Sequence, residues 1–132
     1  MNNRWKTSNT TIYNLGFHLI WCPKYRRKVL VGDVRDRLIE LLNNKANEID
    51  VNIEKIEVMD DHVHLFVKSK PVHSPHWIVQ QLKGYTSRKM RLEFSDLKSK
   101  LPTLWTRSYY VESVGNISEN TIKKYIDNQK NK

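Results

Sequence analysis

The chain holds one cysteine, Cys22, among its 132 residues. A single thiol closes no internal disulfide, and it excludes a cysteine-rich zinc module. Cys22 stands in an apolar run, where it reads as a small buried hydrophobe. Long apolar runs are missing as well: none approaches the roughly 20 residues that a membrane helix needs. The opening segment Met1-Asn2-Asn3-Arg4-Trp5-Lys6 lacks the apolar core of a signal peptide. These absences lead us to expect a cytoplasmic protein with no membrane partner. Acidic residues are scarce beside basic ones, 14 against 23, which leaves a net charge of +9. Such a surplus favours a polyanionic partner. Nucleic acid fits better than a membrane surface, because no strongly amphipathic cationic helix with a bulky apolar face is present.

What is there is enough to fold. Hydrophobic residues make up 39% of the chain, which suits one domain with one core over residues 1–132. There is no internal repeat and no low-complexity segment. Residues 1–10 are polar and read as a flexible arm. Ile12 to Trp21 has the Ile, Tyr, Phe, Leu and Trp of a strand. Pro23 ends that strand or places it at an edge. Lys24-Tyr25-Arg26-Arg27-Lys28 follows, four cations around an aromatic ring. Gly32-Asp33 opens a helix with Asp33 as its cap, and Val34, Leu38, Leu41, Leu42 and Ile49 recur at helical spacing.

Val51 to Val58 reads as a strand. A turn at Met59-Asp60-Asp61 joins it to a second strand that Pro71 closes, so the two should form a hairpin. Ser74 and Pro75 are the cap and first position of another helix, whose apolar stripe is Ile78, Leu82 and Tyr85. Gly84 inside it costs about 1 kcal/mol against alanine, which hints at a close approach by another group. Leu101 to Leu104 is a connector, and Ser108 to Glu112 a short strand. Gly115-Asn116 breaks the chain. A last helix starts at Ser118, with Ile117 and Ile122 as a hydrophobic staple. The order β-α-β-β-α-β-α predicts an α+β, ferredoxin-like fold: a central antiparallel sheet with helices against it.

Two features carry chemistry. In Asp60-Asp61-His62-Val63-His64-Leu65-Phe66-Val67, strand alternation puts His62 and His64 on one face. Two imidazoles side by side are half of a metal site, or two polar residues on a solvated sheet. The terminal helix carries Ile122, Tyr125, Ile126 and Gln129 on one face. That stripe puts a phenol and a carboxamide one turn apart at a position where leucine or isoleucine is usual. Taken alone, Tyr125 is a core-edge aromatic and Gln129 a surface residue. Together with the histidines, two imidazole nitrogens and an amide oxygen form a donor set for a divalent cation with open positions.

His62-Val63-His64 resembles the His-hydrophobic-His motif of the HUH endonucleases. Tyr125-Ile126-Asp127-Asn128-Gln129 resembles the tyrosine-x-x-x-glutamine helix of the TnpA-type single-tyrosine transposases. These enzymes move small bacterial and archaeal insertion sequences as single strands. His18-Leu19-Ile20-Trp21-Cys22-Pro23-Lys24-Tyr25-Arg26 and Lys100-Leu101-Pro102-Thr103-Leu104-Trp105 are similar to the same family. The likeness spans roughly residues 13–130.

The resemblance implies an HUH fold with a mobile C-terminal helix over residues 117–130, and Gly115 is placed to be its hinge. It implies His62, His64 and Gln129 as ligands of Mg²⁺ or Mn²⁺. Tyr125 would be the nucleophile that becomes joined to a 5′ phosphate. The partners implied are single-stranded DNA hairpins at the element ends and a second copy of the chain, with no small-molecule substrate. Lys24, Arg26, Arg27 and Lys28, and Lys83, Arg88, Lys89 and Arg91, are the candidates for gripping DNA, or are solvated surface charges. Trp5, Tyr25 and Tyr85 are candidates for stacking on bases, with core packing favoured for Tyr85. Asp60 is placed to orient an imidazole or to rival Gln129 as a ligand; both Asp60 and Asp61 also read as turn residues. His18 is strand-borne and is placed either near the site or, the favoured reading, as a satisfied buried histidine. His73 and His76 read as surface residues. Two other functions stay open: a non-catalytic binder of single-stranded DNA or RNA, and a domesticated nuclease acting on chromosomal palindromes.

Overall fold

A computed structural model describes residues 6–7, 12–13, 15–114 and 127. The terminal helix, the hinge at Gly115, Trp5, and the side chains of Tyr125 and Gln129 lie outside the described residues. Two short strands, β1 (Lys6–Thr7) and β2 (Ile12–Tyr13), form an antiparallel pair of their own. The main sheet has four strands: β3 (Gly16–Trp21), β4 (Asn52–Met59), β5 (His62–Lys68) and β6 (Tyr110–Ser113), in the order β4-β5-β3-β6. Every pairing in it is antiparallel. Helices α1 (Gly32–Glu48), α2 (Pro75–Glu93) and α3 (Ser95–Lys100) lie between the strands in sequence. This is the expected ferredoxin-like order, a βαββαβ unit with the first strand at the centre of the sheet.

The strand expected over Ile12 to Trp21 is in fact two strands that belong to different sheets. At the start of the second, Gly16 sits so close to Phe66 that an added Cβ would meet the ring at 3.3 Å. Pro23 ends β3 and bridges Trp105.

Alternation along the strands decides which side is core. Leu19 and Trp21 of β3 and Val63, Leu65 and Val67 of β5 point one way and are fully buried. Leu38, Leu41 and Leu42 of α1, Ile78 and Leu82 of α2 and Leu97 of α3 join the same cluster, so all three helices cover one face. The other face carries His18, Ile20, His62, His64, Phe66, Lys55, Glu57 and Glu112, by register. The β4–β5 hairpin closes through the turn at Asp60-Asp61, and the amide of Leu30 donates to the Asp60 carbonyl at 3.0 Å.

Helix α2 starts as expected. Ser74 caps it by accepting from the Trp77 amide at 3.1 Å, with Pro75 in the first turn. Helix α1 does not. Val31 holds its cap position without a side-chain bond, and Asp33 sits in the first turn, where its charge faces the positive helix end. Gly32 is needed there, because its φ of 57° is open to glycine at little cost. Helix α3 has one apolar residue, Leu97, and is too short for periodicity to reveal. Cys22 is half-buried rather than buried.

Gly84 departs from expectation. Among the described residues no group approaches it: a Cβ added there meets nothing within 4 Å. It opens instead onto a groove of ≈ 520 Å³ lined by residues including Lys24, Tyr25, Trp105 and Arg107. Gly84→Ala should therefore stabilise the fold by about 1 kcal/mol through helix propensity alone. Thermal unfolding checks this; a lower Tm would mean that the backbone there needs glycine.

Candidate active site

The two histidines of β5 share the open face, and each has a carboxylate at its Nδ1. Asp61 Oδ1 lies 2.9 Å from His62 Nδ1. Glu57 Oε2 lies 3.6 Å from His64 Nδ1, directly across the β4–β5 pairing. Donation from His62 Nδ1–H to Asp61 holds the proton there and leaves Nε2 as a lone-pair donor, the usual arrangement behind a metal-bound imidazole. Glu57 is too far for a hydrogen bond to His64 Nδ1, which has none among the described residues, and acts on it through its charge. The carboxylate that orients His62 is Asp61 rather than Asp60. Strand β5 starts only at His62, so Asp60 stays in the turn and exposed, while Asp61 is buried at 8% exposure.

His64 is buried also, and burial pushes its imidazole pKa down; the neighbouring His18 adds to the effect and Glu57 opposes it. His18 is lowered by burial as well, against an opposing pull from Glu112. Both are thereby biased towards the neutral form, the one that donates a lone pair to a metal. His18 Nδ1 stands 2.9 Å from His64 Nε2, with the ring centroids 5.1 Å apart. Sequence spacing did not reveal this contact. His18 lies on another strand, diagonal to His64, and only the β3–β5 register brings them together.

Beside His62 is a cavity of ≈ 600 Å³, lined by Arg26, Lys28, Glu57, Met59, Asp60, Asp61, His62 and Asp127. Asp127 is helical and exposed, and stands between Tyr125 and Gln129 in the sequence. Among the described residues, no group of three or more His, Cys, Asp or Glu is arranged to hold a metal by itself. The two imidazoles fit a divalent cation as part of a donor set, with further ligands needed.

The basic residues separate into two kinds. Arg26 points inward, and its guanidinium donates to Asp61 Oδ2 at 3.1 Å. It is aimed there by a 3-10 turn, Lys24–Arg26, in which Tyr25 and Arg26 take φ of 58° and 49°. Two consecutive left-handed non-glycine residues cost about 1–3 kcal/mol each, so the surrounding structure must hold them. The same turn leaves the Tyr25 ring 65% exposed, with the Lys24 ammonium 5.3 Å from its centroid. Arg27, Lys28 and Arg88 are exposed and Lys89 half-exposed. Arg91 donates to the Pro102 carbonyl at 2.9 Å. Tyr85 packs against the core beneath Lys45, as favoured. His73 stacks on Trp77, and His76 Nδ1 meets the Tyr109 hydroxyl at 2.6 Å.

Lys83 corrects the sequence reading. It is buried, and its ammonium donates to the carbonyls of Thr106, Arg107 and Ser108 at 2.6, 3.3 and 3.4 Å. Burial pushes its pKa down. Its donors are taken up by the segment leading into β6 rather than offered to a ligand. Lys83→Met keeps the stem but leaves those carbonyls without their donor. It should cost about 2 kcal/mol, or several degrees in Tm. An unchanged Tm would show that water replaces the ammonium.

A four-stranded antiparallel sheet with its helices packed on one face is the fold of the HUH tyrosine transposases. The chain belongs to the IS200-like transposase family, whose profile matches residues 11–129. It is 40% identical over 123 residues to the ISDra2 transposase TnpA of Deinococcus radiodurans, covering 92% of this chain and 88% of that one. It is 33% identical over 123 residues to the transposase of insertion sequence IS200 from Salmonella typhimurium, covering 90% and 79%. The crystal structure of a Deinococcus radiodurans R1 protein assigned as a transposase superposes with a TM-score of 0.83 at 38% identity, over 94% of this chain and 97% of that one. A REP-associated tyrosine transposase bound to a REP hairpin shares the fold, with a TM-score of 0.60 at 11% identity over 92% and 68%. The family implies a DNA endonuclease and strand-transferase activity. No described helix is long and apolar enough to cross a membrane.

Proposed function

We propose that this transposase cuts and rejoins single-stranded DNA at the ends of its insertion sequence through a tyrosine–DNA intermediate, working as a homodimer on subterminal hairpins. The observation that carries the reading is the backed pair His62 and His64, next to a cavity that Asp127 of the tyrosine-x-x-x-glutamine segment also lines. Asp127 is two residues from Tyr125 and two from Gln129. His62, His64 and Gln129 would hold the cation, Mg²⁺ or Mn²⁺. When bound, such an ion offsets negative charge that builds on the scissile phosphate.

The chain's own groups do the rest. Asp61 orients His62, and Arg26 holds Asp61. The Tyr125 hydroxyl attacks phosphorus and gives up its proton, the bond to the 3′ oxygen breaks and that oxygen leaves as a 3′ hydroxyl after taking up a proton, and a 5′-phosphotyrosine forms. One phosphoester replaces another, so rejoining needs no ATP. Lys24, Arg27, Lys28, Arg88 and Lys89 are the cations left to grip hairpin backbone, with the exposed Tyr25 ring available for stacking. The hairpin-bound relative of the same fold supports hairpins as the substrate.

Incubation with single-stranded DNA from the flanks of its own gene and Mn²⁺ tests this. A covalent adduct mapped to Tyr125 by mass spectrometry is expected. Hairpin binding with no cleavage under any divalent metal would point instead to a non-catalytic binding module.

A further inference from the structure

The lone pair that His64 would offer a cation is already in use. The Glu57 carboxylate, 3.6 Å from Nδ1, makes no hydrogen bond to it, but its charge favours the tautomer with the proton on that nitrogen, which makes Nε2 the acceptor. The hydrogen bond at 2.9 Å then runs from His18 Nδ1–H to His64 Nε2. One nitrogen cannot serve His18 and a metal at once. We infer that His18 is a placeholder ligand: it caps His64 Nε2 in the metal-free protein, and a divalent cation binds His64 by displacing it.

The placement of His18 supports a two-position role. The Phe66 ring meets His18 edge-on at 4.9 Å and 74°, so the imidazole is packed rather than free. On its other side Glu112 of β6 is its direct register partner, and Glu112 Oε2 is buried with no hydrogen-bond partner among the described residues. A buried carboxylate oxygen without a partner is costly, and an imidazole N–H turned away from His64 would satisfy it. Metal entry would thus exchange a His18–His64 bond for a His18–Glu112 bond. The cap keeps the apo site ordered and neutral, and it lowers metal affinity by the part of that bond's free energy that the new bond to Glu112 does not return.

This inference rests on the proposed cation site, and the test separates the two. Mn²⁺ is titrated by calorimetry into the full-length wild type and into His18→Phe, His18→Ala and His64→Ala. Removing the cap should tighten Mn²⁺ binding by up to about tenfold, the ceiling that one net hydrogen bond sets. Phe keeps the ring against Phe66; Ala excludes a steric effect of that ring. In ¹⁵N spectra of the wild type, the His18 Nδ1–H signal should be present without metal and shift when diamagnetic Mg²⁺ is added. Equal or weaker Mn²⁺ binding by both His18 variants, with wild-type binding intact, would overturn the placeholder role. Wild-type binding no better than that of His64→Ala would overturn the cation site and the placeholder with it.

Discussion

Tyr125→Phe should abolish the covalent protein–DNA adduct and lower cleavage by about three orders of magnitude or more, in line with the loss of a covalent nucleophile. The substitution keeps the aromatic ring and nearly all its volume, and removes only the hydroxyl oxygen. A tyrosine that merely packs at the edge of the core would tolerate the change. Free tyrosine has a pKa near about 10 and is a weak nucleophile, so its reactivity must come from the site and not from the residue. Hairpin affinity should stay within a few-fold of wild type, because the backbone-gripping cations are untouched. A variant that cuts a labelled hairpin as fast as wild type would show that another group attacks the phosphate.

Asp61→Ala should have the next largest effect. Asp61 joins two parts of the site: one oxygen meets His62 Nδ1 at 2.9 Å, and the other accepts from Arg26 at 3.1 Å. Loss of a carboxylate behind a metal-binding imidazole costs about 10–100-fold in metal affinity. The Arg26 guanidinium, whose buried Nε has no partner among the described residues, would lose its Asp61 partner as well. Asp61→Asn keeps an acceptor for His62 and should recover most of the affinity. Metal titration of the two variants separates orientation from charge.

The pH dependence follows from the Asp61 carboxyl. Burial raises its pKa, but the bonds to His62 and Arg26 outweigh that, and the net shift is downward. A lowered carboxyl pKa contributes stability above the ordinary carboxylate range, and that stability is lost as pH falls through the folded value. The Tm gap between wild type and Asp61→Asn should be constant near neutrality and shrink below about pH 4. A gap that widens in acid would contradict the bond pattern.

Much of the fold was legible because local signals agreed. Ser74-Pro75 announces α2, and the hairpin around Asp60-Asp61 follows from two strand-like runs flanking a turn. His62 and His64 share a face because strand side chains alternate, which holds wherever the strand lies. The misreadings share a cause. Lys83 sits at a polar position by helical period, yet the carbonyls of Thr106 to Ser108 draw it inward. Gly84 suggests a neighbour, yet faces an open groove. Arg26 belongs to a basic run, yet a left-handed turn directs it to Asp61. In each case the deciding group lies 20 or more residues away, or is the solvent, and periodicity carries no information about either.

The amino-acid sequence alone determined the α+β class, the surplus of positive charge, and the pair of imidazoles on one strand face. These depend on composition and on the period of the backbone, which are local properties. Tertiary structure decided what stands around that pair. Asp61 rather than Asp60 backs His62, because the strand begins one residue after Asp61. Glu57 faces His64, and His18 caps it, because of strand register between segments far apart in the chain. Register is set by packing the whole sheet against its helices, so these partners exist only once the fold does.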